Sequence, residues 1–282
     1  MRKLVIAFLL VLMGIQAFGT AQIPDILIYK GDTISLFDCP LNYFPDKGLI
    51  HPKRLFGGSG CFYTACYRNY VATWTIEDNK LYLLSIRNAC YPTDMQYVNV
   101  SYNHGADTLG TEYADLETLF PDRIVNGRVP ADWVNAKIIS PKGKILNYIN
   151  DGFMSIFEKE VEFTIENGTL IQIQEFDNSK TRISKYTQDP ELLKEFIKNN
   201  IDYSNVPQQD KPVRVMVGIF SATEDGKIDK VKIIGRANEV FDKEAERVVK
   251  SIPQWDVFYR HGEITRGAAW MIPVIFEWDS KK

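Results

Sequence analysis

Residues 213–220 read VRVMVGIF, an alternation that predicts a β-strand with one apolar face. An acidic turn, EDG at 224–226, leads into a second run, KIDKVKII at 227–234, so we expect the two runs to pair as a hairpin. The chain closes on WMIPVIFEW at 270–278, where large apolar side chains again occupy alternate positions. These runs predict a small antiparallel sheet.

A helix is predicted between the second and third of these runs. Asn238 is a favourable N-cap residue, and Pro253 prevents the helix from continuing. Between them, apolar side chains recur at three- and four-residue spacing and form one stripe: Phe241, Ala245, Val248, Val249 and Ile252. We expect this stripe to cover the apolar face of the sheet.

The chain upstream of this module is predicted to form repeated β-hairpins. Short apolar runs flank turn residues near positions 30–32, 77–80, 141–143 and 166–168. The pair Asn167-Gly168 is a strong hairpin signal, because both residues tolerate positive φ. We therefore expect a β-rich domain over residues 22–186.

The predicted fold class is α+β, with this β-rich domain followed by a smaller module of sheet and helix. At Asp189-Pro190, an N-cap residue followed by proline at the first helical position predicts the start of a helix. Residues 187–282 are expected to form the smaller module. A composition of 45% hydrophobic and 24% charged residues is sufficient for buried cores in both parts.

The first residues have the layout of a secretory signal peptide. A basic start at Arg2-Lys3 precedes the apolar run Leu4–Met13, and small residues at 19–21 offer a cleavage site after Ala21. The alternative is an uncleaved anchor, but the apolar run falls short of the about 20 residues that span a bilayer. We expect residues 1–21 to be removed and the mature chain to have no stable membrane span.

Four cysteines suggest disulfides in an exported chain. Two bridges are the simplest prediction, buried thiols are the alternative, and the sequence does not choose among the three possible connectivities: Cys39, Cys61, Cys66 and Cys90. The spacings lack paired C-x-x-C motifs, and the chain has only 3 histidines, so neither a metal nor another cofactor is predicted. A net charge of −3 without a dense basic patch argues against nucleic acid as a partner.

Candidate catalytic groups are sparse. The glycines at 57–60 flank a serine, but the Lys-Ser/Thr pair of a phosphate loop and the G-x-S-x-G frame of a hydrolase are both missing. An aromatic group could form a ligand platform, although strand spacing favours a sheet core: Phe62, Tyr63, Tyr67, Tyr70 and Trp74. We expect a protein that is not an enzyme. The alternative is an enzyme with its site near His104 or the 57–60 loop.

From Phe196 onward the chain resembles the C-terminal domain of TonB-family proteins in their Bacteroidetes form. The resemblance covers roughly residues 196–278 and is carried by FIKNNIDY at 196–203, DGKI at 225–228, FDKEA at 241–245, VVKSIPQW at 248–255, Gly262, and PVIF at 273–276. It implies an α+β module in the periplasm of a Gram-negative envelope. It also implies a partner, an outer-membrane protein or peptide that pairs a strand with the module by β-augmentation.

Two departures limit what the resemblance implies. The family continues after Trp255 with Pro-Gly, whereas this chain has Asp256-Val257, and no Pro/Lys/Glu-rich spacer precedes the module. We therefore expect an exported envelope protein that binds a protein or peptide. The alternative is a TonB-type energy transducer with an uncleaved anchor.

The last run is the predicted partner-binding edge strand, because Pro273 cannot donate a hydrogen bond inside a sheet and is typical of an edge. Its candidate contact residues are the alternating large side chains Trp270, Ile272, Val274, Phe276 and Trp278. Pro273 also predicts that this edge is partly blunted.

Overall fold

The computed structural model describes residues 19–91, 110–265 and 269–278. Strands account for 42% of the residues and helices for 19%. These proportions confirm the predicted α+β class and show that the protein is mostly β. The chain divides into two compact units that are not contiguous in sequence. The first comprises the chain up to 140 with segments 148–155 and 162–174, and the second comprises segments 141–147 and 156–161 with the chain from 175 onward.

The secondary structure elements are numbered in chain order. The strands are β1 (Asp25–Tyr29), β2 (Asp32–Leu36), β3 (Tyr70–Glu77), β4 (Lys80–Asn88), β5 (Val129–Pro130), β6 (Ala136–Asn147), β7 (Ile156–Glu166), β8 (Thr169–Asp177), β9 (Val213–Ala222), β10 (Ile228–Gly235), β11 (Phe258–Arg260), β12 (Glu263–Thr265) and β13 (Trp270–Phe276). The helices are α1 (Pro52–Phe56), α2 (Leu116–Leu119), α3 (Lys185–Gln188), α4 (Pro190–Asn200) and α5 (Glu239–Lys250).

An eight-stranded sheet has the order β2-β1-β3-β4-β8-β7-β6, with β5 paired to β4. It is a mixed sheet, because β1 pairs antiparallel with β2 and parallel with β3. Three predicted hairpins are confirmed by turns in which two consecutive residues have positive φ: Lys30-Gly31, Asp78-Asn79 and Asn167-Gly168. The sequence therefore located these reversals through their turn chemistry.

The hairpin predicted around residues 141–143 is wrong. β6 runs without interruption from Ala136 to Asn147. Gly143 has a φ of 80°. Neither of its neighbours has a positive φ, whereas each of the three hairpin turns has two such residues in succession. The side chain of Glu158 lies over Gly143, with its carboxylate 2.6 Å from where a Cβ would be. Gly143 thus admits the close approach of a neighbouring side chain rather than a reversal of the chain.

The second unit contains a three-stranded antiparallel sheet in the order β10-β9-β13. Its core joins one face of β9 and β13 to the predicted stripe of α5, and all of these side chains are buried: Val215, Val217, Ile219, Phe241, Ala245, Val248, Val249, Ile272, Val274 and Phe276. The rings of Phe241 and Phe276 lie 5.0 Å apart at the centre of this contact. The predicted packing of helix on sheet is confirmed.

The ends of the helices follow the predicted capping chemistry. The Asn238 side chain accepts hydrogen bonds from the backbone N–H groups of Val240 and Phe241 at the start of α5. Asp189 does the same for α4, which begins at Pro190. These caps fix where each helix begins relative to its apolar stripe.

Truncation of Phe276 to alanine should destabilise the protein strongly, because the side chain is fully buried against Phe241. We expect a loss of about 3–5 kcal/mol in the free energy of unfolding, measured by urea denaturation. Ile275→Ala is the matched control on the same strand, since Ile275 is 42% exposed, and it should cost less than about 1 kcal/mol. Equal losses for the two variants would contradict the assigned faces of β13.

Candidate functional site

β13 forms one edge of the three-stranded sheet. It pairs with β9 from Trp270 opposite Ile219 to Phe276 opposite Val213. Within the described residues no strand pairs with its other side. The edge position predicted from Pro273 is confirmed, so one row of backbone polar groups is left without a partner strand.

The predicted row of contact residues lies in two environments. Ile272, Val274 and Phe276 are buried in the core. The rings at the two ends differ: Trp270 is 40% exposed, and Trp278 packs edge-on against Tyr203, with centroids 5.6 Å apart. Between these two rings β13 turns the alternate side chains outward, with Met271 48% exposed and Ile275 42% exposed.

Pro273 determines which backbone groups face the free edge. In an antiparallel strand the N–H and C=O of one residue point to the same side, and the side alternates from residue to residue. Because proline has no N–H, its nitrogen belongs on the side away from β9. We infer that Met271 and Ile275 present their N–H groups to the free edge, with a gap between them at Pro273.

An apolar groove of about 460 Å³ runs along this edge. Its apolar wall comes from α4, from Tyr203 and from β13: Pro190, Leu193, Ile197, Tyr203, Ile272, Pro273 and Ile275. Four charged residues complete the lining: Glu191, Lys194, Lys198 and Glu277. The groove places apolar surface directly beside the unpaired backbone, as a strand-binding site requires.

The charges of the groove are only partly neutralised. Lys194 lies 3.4 Å from Glu191 in a pair whose side chains are both exposed, a geometry that contributes little stability. Lys198 has no ion pair within the part of the chain that the structure describes. The groove therefore presents the positive charge of Lys198 without a described carboxylate beside it.

One disulfide joins Cys61 to Cys90, whereas Cys39 and Cys66 are buried free thiols. The prediction of two disulfides is therefore wrong, and the alternative of buried thiols holds for one pair. Burial raises the pKa of Cys39 to about 12, with the nearby carboxylate of Asp25 as a second cause. Burial likewise raises the pKa of Cys66. Neither group is a thiolate at neutral pH, so neither is an activated nucleophile.

The other candidate catalytic groups have structural roles or lie outside the described residues, as His104 does. Gly57 caps the C-terminal end of α1 with a φ of 76°. His51 caps the other end, where its Nδ1 accepts a hydrogen bond from the N–H of Lys53. Among the described residues no cluster of three or more His, Cys, Asp or Glu side chains is arranged to hold a metal ion.

The aromatic group around residue 70 divides between core and surface. Tyr70 and Trp74 are buried on β3, as strand spacing indicated. Phe62 and Tyr67 precede β3 and are exposed, with about two thirds of each side chain accessible to solvent. The interpretation as core is therefore confirmed only for the strand residues.

Comparison of the chain with protein-family models, with curated proteins and with solved structures gives no match. No helix in the described ranges has the length and apolar character needed to cross a membrane. The geometry of β13 and its groove is the arrangement on which a functional proposal can be built.

The state of the cysteines can be read from their reactivity. Native protein treated with iodoacetamide at about pH 8 should remain unlabelled, because Cys39 and Cys66 are buried and protonated. In denaturant without reductant, mass spectrometry should find two labels, at Cys39 and Cys66, and an intact bridge between Cys61 and Cys90. Rapid labelling of the native protein, or a second bridge between Cys39 and Cys66, would contradict this assignment.

Proposed function

We propose that this protein acts in the cell envelope and binds an extended segment of another envelope protein by adding it as a strand to β13. The observation that carries the proposal is the unpaired side of β13, bordered by the apolar groove. Strand addition uses backbone hydrogen bonds for affinity and side-chain pockets for specificity, and this edge offers both. The protein is proposed to be a binding module and not an enzyme.

The sequence resemblance to TonB C-terminal domains supports this proposal, and the matching segments contact one another in the fold. The N–H of Trp255 donates to the carbonyl of Gly226 at 2.8 Å, joining the IPQW and DGKI segments. The N–H of Asp202 donates to the carboxylate of Glu244 at 2.7 Å, joining the NNIDY and FDKEA segments. Residues that carry the resemblance thus hold the module together.

The hydrogen bond between Asp202 and Glu244 involves a buried carboxylate, which is costly to bury unless other groups donate to it. Burial raises the pKa of the Glu244 carboxyl, but hydrogen bonds from Arg247, from the Asp202 N–H and from Asn205 outweigh burial and hold the pKa below its usual range. A buried carboxylate needs these donors to remain ionised. The segment after α4 is therefore fixed to α5, and α4 is held beside the edge of β13.

Two features support an envelope location. Residues 1–21 have the pattern of a secretory leader, and a disulfide joins Cys61 to Cys90. Disulfides persist in oxidising compartments such as the bacterial periplasm and are rare in the cytosol. A periplasmic protein would meet the exposed segments of outer-membrane proteins that the proposal requires.

Binding at this edge should be reversible and of modest affinity. The free edge is short, and Pro273 removes its central donor, so a partner strand cannot form an uninterrupted ladder. Each hydrogen bond that does form contributes only about 0.5–1.5 kcal/mol net. Most of the affinity should therefore come from apolar side chains entering the groove.

Proline substitutions test the proposal without removing the core residues of β13, which a deletion of the strand would lose. Peptides are first selected on the wild-type protein from a displayed random library and then measured by calorimetry. Ile275→Pro removes an outward donor and should weaken binding about tenfold, whereas Pro273→Val restores one and should strengthen binding by about 2- to 10-fold.

The control for these variants is Glu239→Pro, at the first position of α5, where proline is tolerated and both the Asn238 cap and the edge are untouched. It should bind like the wild type. Identical affinities for the wild type, Ile275→Pro and Pro273→Val would show that the peptides do not pair with β13. Failure to select any peptide would count against the binding function itself.

A further inference from the structure

A second cavity of about 440 Å³ lies in the same unit, where β9 ends and β13 begins. Its walls come from the β9–β10 hairpin, the segment 255–257 after α5, the β11–β12 hairpin and the first residue of β13. Its volume is within the range of small-molecule sites.

Aromatic rings form much of the wall. Trp255 and Trp270 meet edge to face, with centroids 5.8 Å apart and ring planes at 88°. Trp255 is almost fully buried, so its position is fixed by the fold, while Trp270 is 40% exposed at the mouth. Phe258 adds a further ring, whereas one face of Phe220 is already covered by the Lys232 ammonium, 5.3 Å from the ring centroid. The face of an aromatic ring carries partial negative charge and attracts cations, with indole the strongest of the natural rings.

The charged groups of the wall are all acidic. Glu224, Asp229 and Asp256 line the cavity, and the described lining contains no lysine, arginine or histidine. None of the three carboxylates forms an ion pair within the described residues. Asp229 accepts a hydrogen bond from the neutral hydroxyl of Ser221 at 2.5 Å. The backbone of Arg182 pairs with that of Val257 in an isolated antiparallel β-bridge, but Arg182 does not line the cavity.

Asp256 is held in a fixed orientation. Its Oδ1 accepts hydrogen bonds from the N–H of Ser184 at 2.6 Å and from the hydroxyl of Thr187 at 2.7 Å. Its Oδ2 accepts no hydrogen bond from any described residue. Burial raises the pKa of Asp256, as expected for a carboxylate with neutral donors and no cation beside it. Asp256 is also one of the two residues that depart from the Pro-Gly pattern after Trp255.

We propose that this cavity binds a small organic cation of the ammonium type, including quaternary ammonium ions. The aromatic faces would contact its alkyl groups, and the carboxylates of Asp256 and Glu224 would balance its charge. A bare metal ion fits less well, because the described residues include no group of three or more His, Cys, Asp or Glu side chains arranged as metal ligands. This site is separate from the groove and does not depend on the proposed peptide binding.

The test compares the binding of choline chloride to the full-length protein with that of 3,3-dimethylbutan-1-ol. This alcohol is the neutral isostere in which carbon replaces the choline nitrogen. Binding is followed by the indole N–H signal of Trp270 in NMR spectra, with sodium chloride at equal ionic strength as the blank. Choline should shift this signal saturably, with an affinity at least about tenfold higher than that of the isostere. Equal affinities would show an apolar pocket without preference for charge and would overturn the proposal, as would the absence of any saturable shift.

Two variants separate the effect of the Asp256 charge on choline binding from the effect of the protein's net charge. Asp256→Asn keeps an oxygen for Ser184 and Thr187 but removes the charge, and it should weaken choline binding by roughly fivefold or more. Asp210→Asn makes the same change in net charge at an exposed loop position and should have no effect. Equal affinities for these two variants would contradict the role of Asp256.

A further variant tests whether the cavity binds an external cation or a side chain of the protein itself. Arg266 follows the lining residue Thr265 in sequence and lies outside the described residues. The proposal predicts that Arg266→Gln binds choline about as well as the wild type. If choline binds only after this substitution, the protein's own guanidinium is the cation in the cavity, and the proposal of an external ligand is wrong.

Discussion

The packing of α5 on one face of β9 and β13 is the constraint on which the C-terminal unit depends. Each large side chain buried in this contact contributes roughly 1.5–3 kcal/mol relative to an exposed position. Because side chains alternate along a strand, burying Ile272, Val274 and Phe276 obliges Met271, Pro273 and Ile275 to face outward. The core therefore sets the surface that β13 exposes. The stability of the unit and its proposed binding face follow from one register.

The same strand serves both proposed sites through different residues. Pro273 and Ile275 border the groove beside α4, while Trp270 stands at the mouth of the acidic cavity. Proline at the free edge limits unwanted pairing with other chains, since it removes one donor from an otherwise open template. An edge of this kind favours a partner that brings apolar side chains for the groove over one that relies on a continuous ladder.

Features governed by local chemistry were predictable from the sequence. The stripe of α5, the Asn238 cap, the Asn167-Gly168 turn and the edge position of Pro273 each depend on residues close in sequence. Features governed by distant contacts were not. Residues 141–143 have the chemistry of a turn but form none, because Gly143 admits the side chain of Glu158, which only the fold brings over it. The cysteine pairing and the two cavities depend on residues far apart in the chain, and Asp256 gave no signal beyond its departure from a family pattern.

Amide hydrogen exchange along β13 tests most directly whether this edge is free. The account predicts slow exchange at Ile272, Val274 and Phe276, whose N–H groups face β9, and fast exchange at Met271 and Ile275, whose N–H groups face the open side. Residue-resolved NMR in deuterated buffer separates these two sets on one strand. Equal protection of Met271 and Ile275 with their neighbours would show that the edge is already occupied and would contradict the proposed docking strand.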